Sequence, residues 1–190
     1  MRAMFKSGVA VVGFAITAMG CASPDMQEGV DLLSPTTVRI ALFAGDGPVQ
    51  DATDLRAWPA WFVTTDDVES LVVVPSQFNF STRAFKDVDY PAADIDFGTP
   101  PAEALTAGAG LPVVLIVDVN ADPTQLATLG DLPANDPLGI SSYLQFADGK
   151  LNIETADSDT GAPSSFLAVP VATVAGYAEE APSLTTMPLR

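Results

Sequence analysis

Five oxygen-bearing side chains lie close together in the middle of the chain, where they could bind a metal ion. Asp118, Asn120 and Asp122 alternate directly after an apolar run, and Asp131 and Asp136 follow in the same loop. Calcium prefers roughly six to eight oxygen ligands at about 2.4 Å, and alternating side chains on a turn can supply them. The spacing therefore predicts a calcium site, and calcium is the only cofactor that the sequence indicates.

The same five side chains have a second interpretation. An EF-hand is excluded, because Pro123 stands where that loop needs glycine and Leu129 stands where it needs glutamate. Asp and Asn also cap turns by accepting hydrogen bonds from their own backbone. The sequence leaves both the metal site and the capped turns open.

An aromatic group is a candidate ligand-binding surface. Trp58, Trp61 and Phe62 are separated only by Pro59 and Ala60. The flat faces of indole rings stack on sugars or peptides, and the same side chains also fill the end of an apolar core. An exposed platform would indicate a glycan- or peptide-binding accessory protein, whereas buried indoles would indicate a structural role.

A second acidic group contains Asp87, Asp89, Asp94 and Asp96. Two carboxylates about 5 to 10 Å apart could act as acid and base in glycoside hydrolysis. Acidic residues that alternate with Val and Ile are also typical of a solvent-facing strand edge, where charge opposes aggregation. We expect the strand edge.

Enzymatic function is disfavoured by residue types that the chain lacks. The 190 residues include no histidine, which excludes a Ser-His-Asp triad, a Cys-His pair and histidine metal ligands. Neither Lys86 nor Lys150 follows serine at the spacing Ser-x-x-Lys. Glycine-rich phosphate-binding motifs are also absent. We therefore predict a protein that is not an enzyme and has no catalytic residues.

The single cysteine, Cys21, lies at the end of an apolar run. The residues before that run carry two basic side chains and no acid, and residues 8–18 are apolar apart from Thr17. This order is typical of a secretory signal peptide, and the run is shorter than the roughly 20 apolar residues that a membrane span needs. Residues 18–21, Ala-Met-Gly-Cys, resemble the bacterial lipobox, whose cysteine receives a diacylglycerol.

The lipobox resemblance implies that residues 1–20 are a lipoprotein signal peptide and that Cys21 is lipidated. Ala22, in place of aspartate, would by the same resemblance direct the lipoprotein to an outer membrane, facing the periplasm or the cell surface. The alternative is conventional signal cleavage beside Cys21. Small and polar residues make 21–35 a flexible tether.

The charge of the chain limits its partners. There are 24 acidic and 8 basic residues, a net charge of −16; loss of residues 1–20 would remove two basic residues and leave −18 on 170 residues. Such a charge repels nucleic acid and anionic lipid headgroups. We expect membrane contact through the lipid anchor, an envelope protein as partner and no nucleic acid.

The apolar segments after the tether are typical of strands, because they are short and rich in Val, Ile, Phe and Thr. Val38, Ile40 and Leu42 alternate on one face of a strand, and the unbroken apolar run 113–117 indicates burial on both faces. The pattern predicts a mainly β chain with a single antiparallel β-sandwich of about seven or eight strands over residues 36–176. Residues 177–190 are expected to form a C-terminal tail.

Several local signals refine this prediction. Asp148-Gly149 favours a tight hairpin between strands at 142–146 and 151–155. Because proline cannot donate to a ladder, Pro170 favours an edge strand or a docked segment over residues 166–174. Residues 101–107 are the main candidate for a short helix, and residues 123–129 are a second candidate.

Residues 111–122, followed by Asp131 and residues 136–140, resemble transthyretin-like, carboxypeptidase-regulatory-like domains of bacterial envelope lipoproteins. In those domains a buried strand leads into an Asp-x-Asn-x-Asp loop. The resemblance implies a lipid-anchored, non-enzymatic structural or adaptor module. The alternative is an accessory lipoprotein that binds a glycan or peptide through an aromatic surface.

Overall fold

The structure is a computed structural model that describes residues 34–44, 47–49, 51–85, 88–105, 110–152 and 167–190. All of these residues belong to one compact unit, Leu32–Arg190. The predicted signal peptide, the lipidation site Cys21 and most of the tether therefore lie outside the described residues.

Strands dominate the described part of the chain, and the helices are short. The strands are β1 Thr37–Ala44, β2 Gly47–Pro48, β3 Leu55–Thr65, β4 Val68–Val73, β5 Phe78–Asn79, β6 Ser81–Phe85, β7 Val88–Asp96, β8 Gly110–Asp118, β9 Pro137–Ile140, β10 Gln145–Ala147, β11 Lys150–Asn152 and β12 Leu167–Thr173; the helices are α1 Ala102–Leu105, α2 Val174–Glu180 and α3 Pro182–Thr185, with 3₁₀ turns at Pro123–Gln125 and Leu129–Asp131. The predicted mainly β class is confirmed.

Eight strands form one continuous ladder in the order β4-β3-β8-β9-β12-β1-β7-β6, with β2 paired to β1 and β5 to β3. Residues 167–170 of β12 pair in parallel with β1, and residues 171–173 pair antiparallel with β9. We call the half around β1, β6 and β7 sheet A and the half around β3, β4, β8 and β9 sheet B. The parallel pair makes the ladder mixed, which differs from the purely antiparallel sheet that was predicted.

One apolar core is shared by the two sheets. Val38, Ile40 and Leu42 of β1 contribute to it from sheet A, and Trp61 and Ile116 contribute from sheet B; all are almost fully buried. A common core between two halves joined by one strand is consistent with the predicted sandwich.

Strand β8 is buried on both faces, as predicted. Residues 113–117 have no exposed surface. Val114 and Ile116 face the shared core, whereas Val113, Leu115 and Val117 face a second core on the outer side of sheet B. Leu129 and Val174 close this second core from the loop and helix side. The continuous apolar run reflects this double burial.

The two strands that were expected at an edge differ in outcome. Residues 167–170 of β12 pair with β1 alone and residues 171–173 pair with β9 alone, so β12 is the last strand of each sheet, as predicted, and Pro170, which has no N–H, lies where the partner changes. Strand β7, which carries Asp89, Asp94 and Asp96, pairs with both β1 and β6.

The segment expected to be a tail from residue 177 packs on the domain. Helices α2 and α3 cover the second core, and Thr185 and Met187 are buried. Residues 188–190 lie along β4, where the Leu71 and Val73 amides donate to the carbonyls of Pro188 and Arg190 at 2.9 Å. No helix in the described part of the chain is long and apolar enough to span a membrane.

The shorter predictions have mixed outcomes. The hairpin at Asp148-Gly149 is confirmed between β10 and β11, with φ of 51° and 73° at the two turn residues. Helix α1 falls within the predicted segment 101–107, and the expected helix at 123–129 is replaced by two 3₁₀ turns. Helices α2 and α3 were not predicted.

Candidate ligand-binding pocket

A pocket of about 420 Å³ opens on the outer face of sheet B, beside helices α2 and α3. This volume falls within the range of small-ligand sites, and the lining is mainly apolar. The lining residues are Phe62, Leu71, Val113, Ile140, Ser141, Ser142, Tyr143, Pro170, Tyr177 and Leu184.

Two aromatic rings form the outer side of the pocket. Phe62 lies on β3 between Trp61 and Val63, whose side chains face the shared core, so Phe62 faces outward by strand alternation. Its ring packs on Tyr143, with centroids 5.3 Å apart and planes inclined by 53°. Tyr143 is 50% exposed and therefore accessible to a ligand.

The hydroxyl of Tyr177 joins two strands at the base of the pocket. Strands β9 and β12 pair as far as Gly139 and Val171 and then separate. At this point the amide of Ile140 donates to the Tyr177 hydroxyl at 3.3 Å, and that hydroxyl donates to the carbonyl of Pro170 at 3.2 Å. The phenol thus replaces a ladder hydrogen bond where the two sheets diverge.

The hydroxyl of Ser141 has a comparable role on the other side of β9. It accepts a hydrogen bond from the Val114 amide at 2.8 Å and donates to the Ser142 carbonyl at 2.9 Å. The backbone therefore positions the Ser141 hydroxyl, whereas Ser142 is exposed.

The titratable groups that line the pocket are neutral at ordinary pH. Burial raises the pKa of Tyr143, and the charge of Glu69 raises it further. Burial also raises the pKa of Tyr177, against a smaller lowering by the hydrogen bond from Ile140, and Glu180 adds to the rise. Neither phenol is suited to act as a general base near neutral pH.

Of the predicted aromatic surface, only Phe62 reaches the pocket. Trp61 is 1% exposed and makes edge contacts with Phe97 and Phe146 at 5.9 and 5.4 Å in the shared core. Trp58 is 7% exposed and packs in the second core. The two indoles lie on opposite faces of β3, so they cannot form one platform.

The residues predicted to bind calcium accept hydrogen bonds from their own loop. A carboxylate oxygen of Asp118 accepts from the Asn120 amide at 2.8 Å, and one of Asp122 accepts from the Thr124 amide at 3.0 Å. Asp131 accepts from the amides of residues 127 and 128.

Asp136 joins the loop to α2 through its carbonyl, which accepts from the Val174 amide at 3.0 Å. Within the described ranges, no group of three or more carboxylate, thiol or imidazole side chains is arranged to hold a metal ion. The geometry of Asp118, Asn120 and Asp122 matches the capped turns that the sequence left open.

The carboxylates of the second acidic group contact different partners. Asp94 forms an ion pair with Arg39 across strands β7 and β1, with Nη2 to Oδ2 at 2.9 Å. Asp96 accepts a hydrogen bond from Thr36 at 2.8 Å, and Asp87 lies outside the described residues.

Sequence reasoning missed Tyr143 and Tyr177. They were assigned to a strand and to a tail, and no local pattern links two tyrosines so far apart in the chain. Comparison with protein-family models, curated proteins and solved structures found no match.

Proposed function

We propose that this protein is a lipid-anchored, non-enzymatic adaptor of the cell envelope, which binds an apolar side chain of a partner protein in the pocket between sheet B and helices α2 and α3. The observation that carries the proposal is the pocket itself, an apolar cavity of about 420 Å³ with a half-exposed aromatic rim. The lipid anchor at Cys21 and the envelope location come from the lipobox resemblance.

The chemistry of the lining supports binding over catalysis. The ten lining residues include no carboxylate and no base, and the chain has no histidine. The tyrosine hydroxyl at the base of the pocket is already engaged by two backbone groups. Such a site can bury an apolar group but offers no group for proton transfer near neutral pH.

The surface around the pocket supports a protein partner over a glycan. Leu111 pairs with Phe62 across β8 and β3 and is 38% exposed, so apolar surface continues outside the cavity. Exposed apolar surface of this kind is typical of interaction sites. Because both indoles are buried, a glycan would lack the stacking platform proposed in the alternative.

Site-specific photo-crosslinking in cells tests the adaptor function. A benzophenone amino acid at position 143 should give a discrete adduct with an envelope protein, and Phe62→Ala should reduce that adduct several-fold. The matched control carries the same probe at Leu105, which is 62% exposed on α1 and does not line the pocket. Identical adducts from positions 105 and 143, or an adduct unaffected by Phe62→Ala, would contradict the proposal.

The anchor is tested separately by metabolic labelling with a radioactive fatty acid. The wild-type protein should incorporate the label and sediment with membranes, whereas Cys21→Ser should do neither. Labelling that persists in Cys21→Ser would contradict lipidation at this residue.

A further inference from the structure

We infer that the apolar side chain bound in the pocket belongs to a basic segment of the partner, with lysine or arginine beside it. The inference rests on the proposed function, because it specifies the chemistry of the partner that the pocket would bind. It is carried by two carboxylates at the rim of an apolar, aromatic-lined cavity, neither of which forms an ion pair within the part of the chain that the structure describes.

The first rim carboxylate is Glu69 of β4. Alternate residues of a strand share a face, so Glu69 lies on the same face as Leu71, which lines the pocket. It pairs across the strands with Thr64, two residues beyond Phe62 on that same face of β3. Burial is the main cause of the raised pKa of the Tyr143 phenol, and the charge of Glu69 adds to it.

The second rim carboxylate is Glu180, at the end of α2. It follows Tyr177 by three residues, and residues three apart lie on the same side of a helix. Burial is the main cause of the raised pKa of Tyr177, and the charge of Glu180 adds to it. The two glutamates are thus placed beside the two tyrosines that line the pocket.

Both carboxylates are available to a ligand. Each is exposed, and neither forms an ion pair with another residue in the described part of the chain. None of the ten lining residues is basic. A cation from a partner would therefore find no competing positive charge in the lining.

The aromatic rings favour the same ligand chemistry. Ring faces attract ammonium and guanidinium groups, and Phe62 and Tyr143 form a packed pair at the rim. The net charge of −16 also speeds the approach of basic segments. An acidic segment with the same apolar side chain would be repelled at each of these points.

Titration of the full chain with three blocked pentapeptides tests the inference. The probes share a Leu-Phe-Leu centre and carry lysine, glutamine or glutamate at both ends. The lysine peptide should bind about three- to tenfold more tightly than the glutamine peptide, as expected for two exposed charge pairs. The glutamate peptide should bind more weakly than both.

Charge-neutral variants distinguish the effect of the two rim carboxylates from the effect of the overall charge. Glu69→Gln with Glu180→Gln should remove most of the preference for lysine, whereas the control pair Asp67→Asn with Glu179→Gln removes the same total charge and should retain it. Equal affinity for the three peptides, or equal loss in both double variants, would overturn the inference.

The two proposals fail in different ways. If Phe62→Ala weakens all three peptides equally and the lysine preference is absent, the pocket binds apolar groups and only the inference about charge is wrong. If none of the peptides binds, both the inference and the proposed adaptor function are contradicted.

Discussion

At the scale of single residues, one phenol maintains the point where two strands separate. The Tyr177 hydroxyl accepts from the Ile140 amide and donates to the Pro170 carbonyl. Strands β9 and β12 separate beyond the pair of Gly139 and Val171, so the phenol bridges a donor and an acceptor that do not pair directly. The side chain therefore supplies the missing link while it also lines the pocket.

Tyr177→Phe should destabilise the fold by about 1 to 2 kcal/mol at pH 7, because it leaves a backbone donor and acceptor without their partner. The folded-state pKa of Tyr177 is raised, so its contribution is complete below the unfolded value near pH 10 and is lost as pH rises through the folded value. Urea unfolding at pH 7 and pH 11 measures both effects. The difference between wild type and variant should shrink at pH 11, and an unchanged difference would contradict this account.

Gly139 illustrates how closely the same region is packed. A Cβ atom at this position would lie 2.9 Å from two side-chain carbons of Ile116 and 3.0 Å from the Pro170 carbonyl oxygen. Gly139→Ala should therefore cost about 1 to 3 kcal/mol in the free energy of unfolding, measured by chemical denaturation. Gly176→Ala is the matched control, because its Cβ would meet nothing closer than 3.4 Å and alanine favours the α2 helix. Similar losses in both variants would show that close packing at Gly139 is not the cause.

At the scale of elements, local patterns predicted what depends on local sequence. The alternation of Val38, Ile40 and Leu42 identified β1, and the run 113–117 identified a doubly buried strand. The change of partner within β12 depends on β1 and β9, which are distant in the chain, so no local signal revealed it. Pro170 indicated an edge position for β12, and it could not indicate that the strand ends both sheets.

The pocket likewise combines a residue that a local motif predicted with residues that come from distant parts of the chain. Phe62 was a predicted binding residue, but its neighbours Trp58 and Trp61 are buried on opposite faces of β3. Strand alternation separates neighbouring aromatic residues when both faces of the strand are covered by a core. The partners that Phe62 acquires, Tyr143 above all, come from segments that the aromatic motif does not include.

The pairing of residues 188–190 with β4 closes one edge of the ladder, and removal of these residues should expose it. Three backbone hydrogen bonds to β4 and a fourth from the Leu189 amide to the Ala127 carbonyl would be lost, each worth about 1 kcal/mol, so a loss of about 4 kcal/mol is expected. Hydrogen exchange should accelerate at the Leu71 and Val73 amides. Pro188→Ala keeps the carbonyl that accepts from Leu71 and should leave exchange at these amides unchanged. Unaltered exchange after the deletion would contradict a role for this pairing.

At the scale of the whole molecule, negative charge opposes the compact state. The chain carries 24 acidic and 8 basic residues, and those predicted to bind calcium are distributed among separate capped turns. Repulsion of this kind is spread over the surface and is relieved by screening, which acts within about 10 Å at 0.1 M salt. A single high-affinity cation site would instead stabilise the fold through one bound ion.

Thermal unfolding in different salts distinguishes these two effects. Raising NaCl from about 10 mM to 500 mM should increase the melting temperature, because the Debye length falls from roughly 30 Å to a few ångströms. CaCl₂ at matched ionic strength should give nearly the same increase, since the carboxylates of Asp118, Asp122 and Asp131 already accept hydrogen bonds from their own loop. A calcium-specific rise at micromolar concentration, abolished by Asp118→Asn but not by Asp67→Asn, would instead establish the cation site that the sequence pattern predicts and would overturn the interpretation as capped turns.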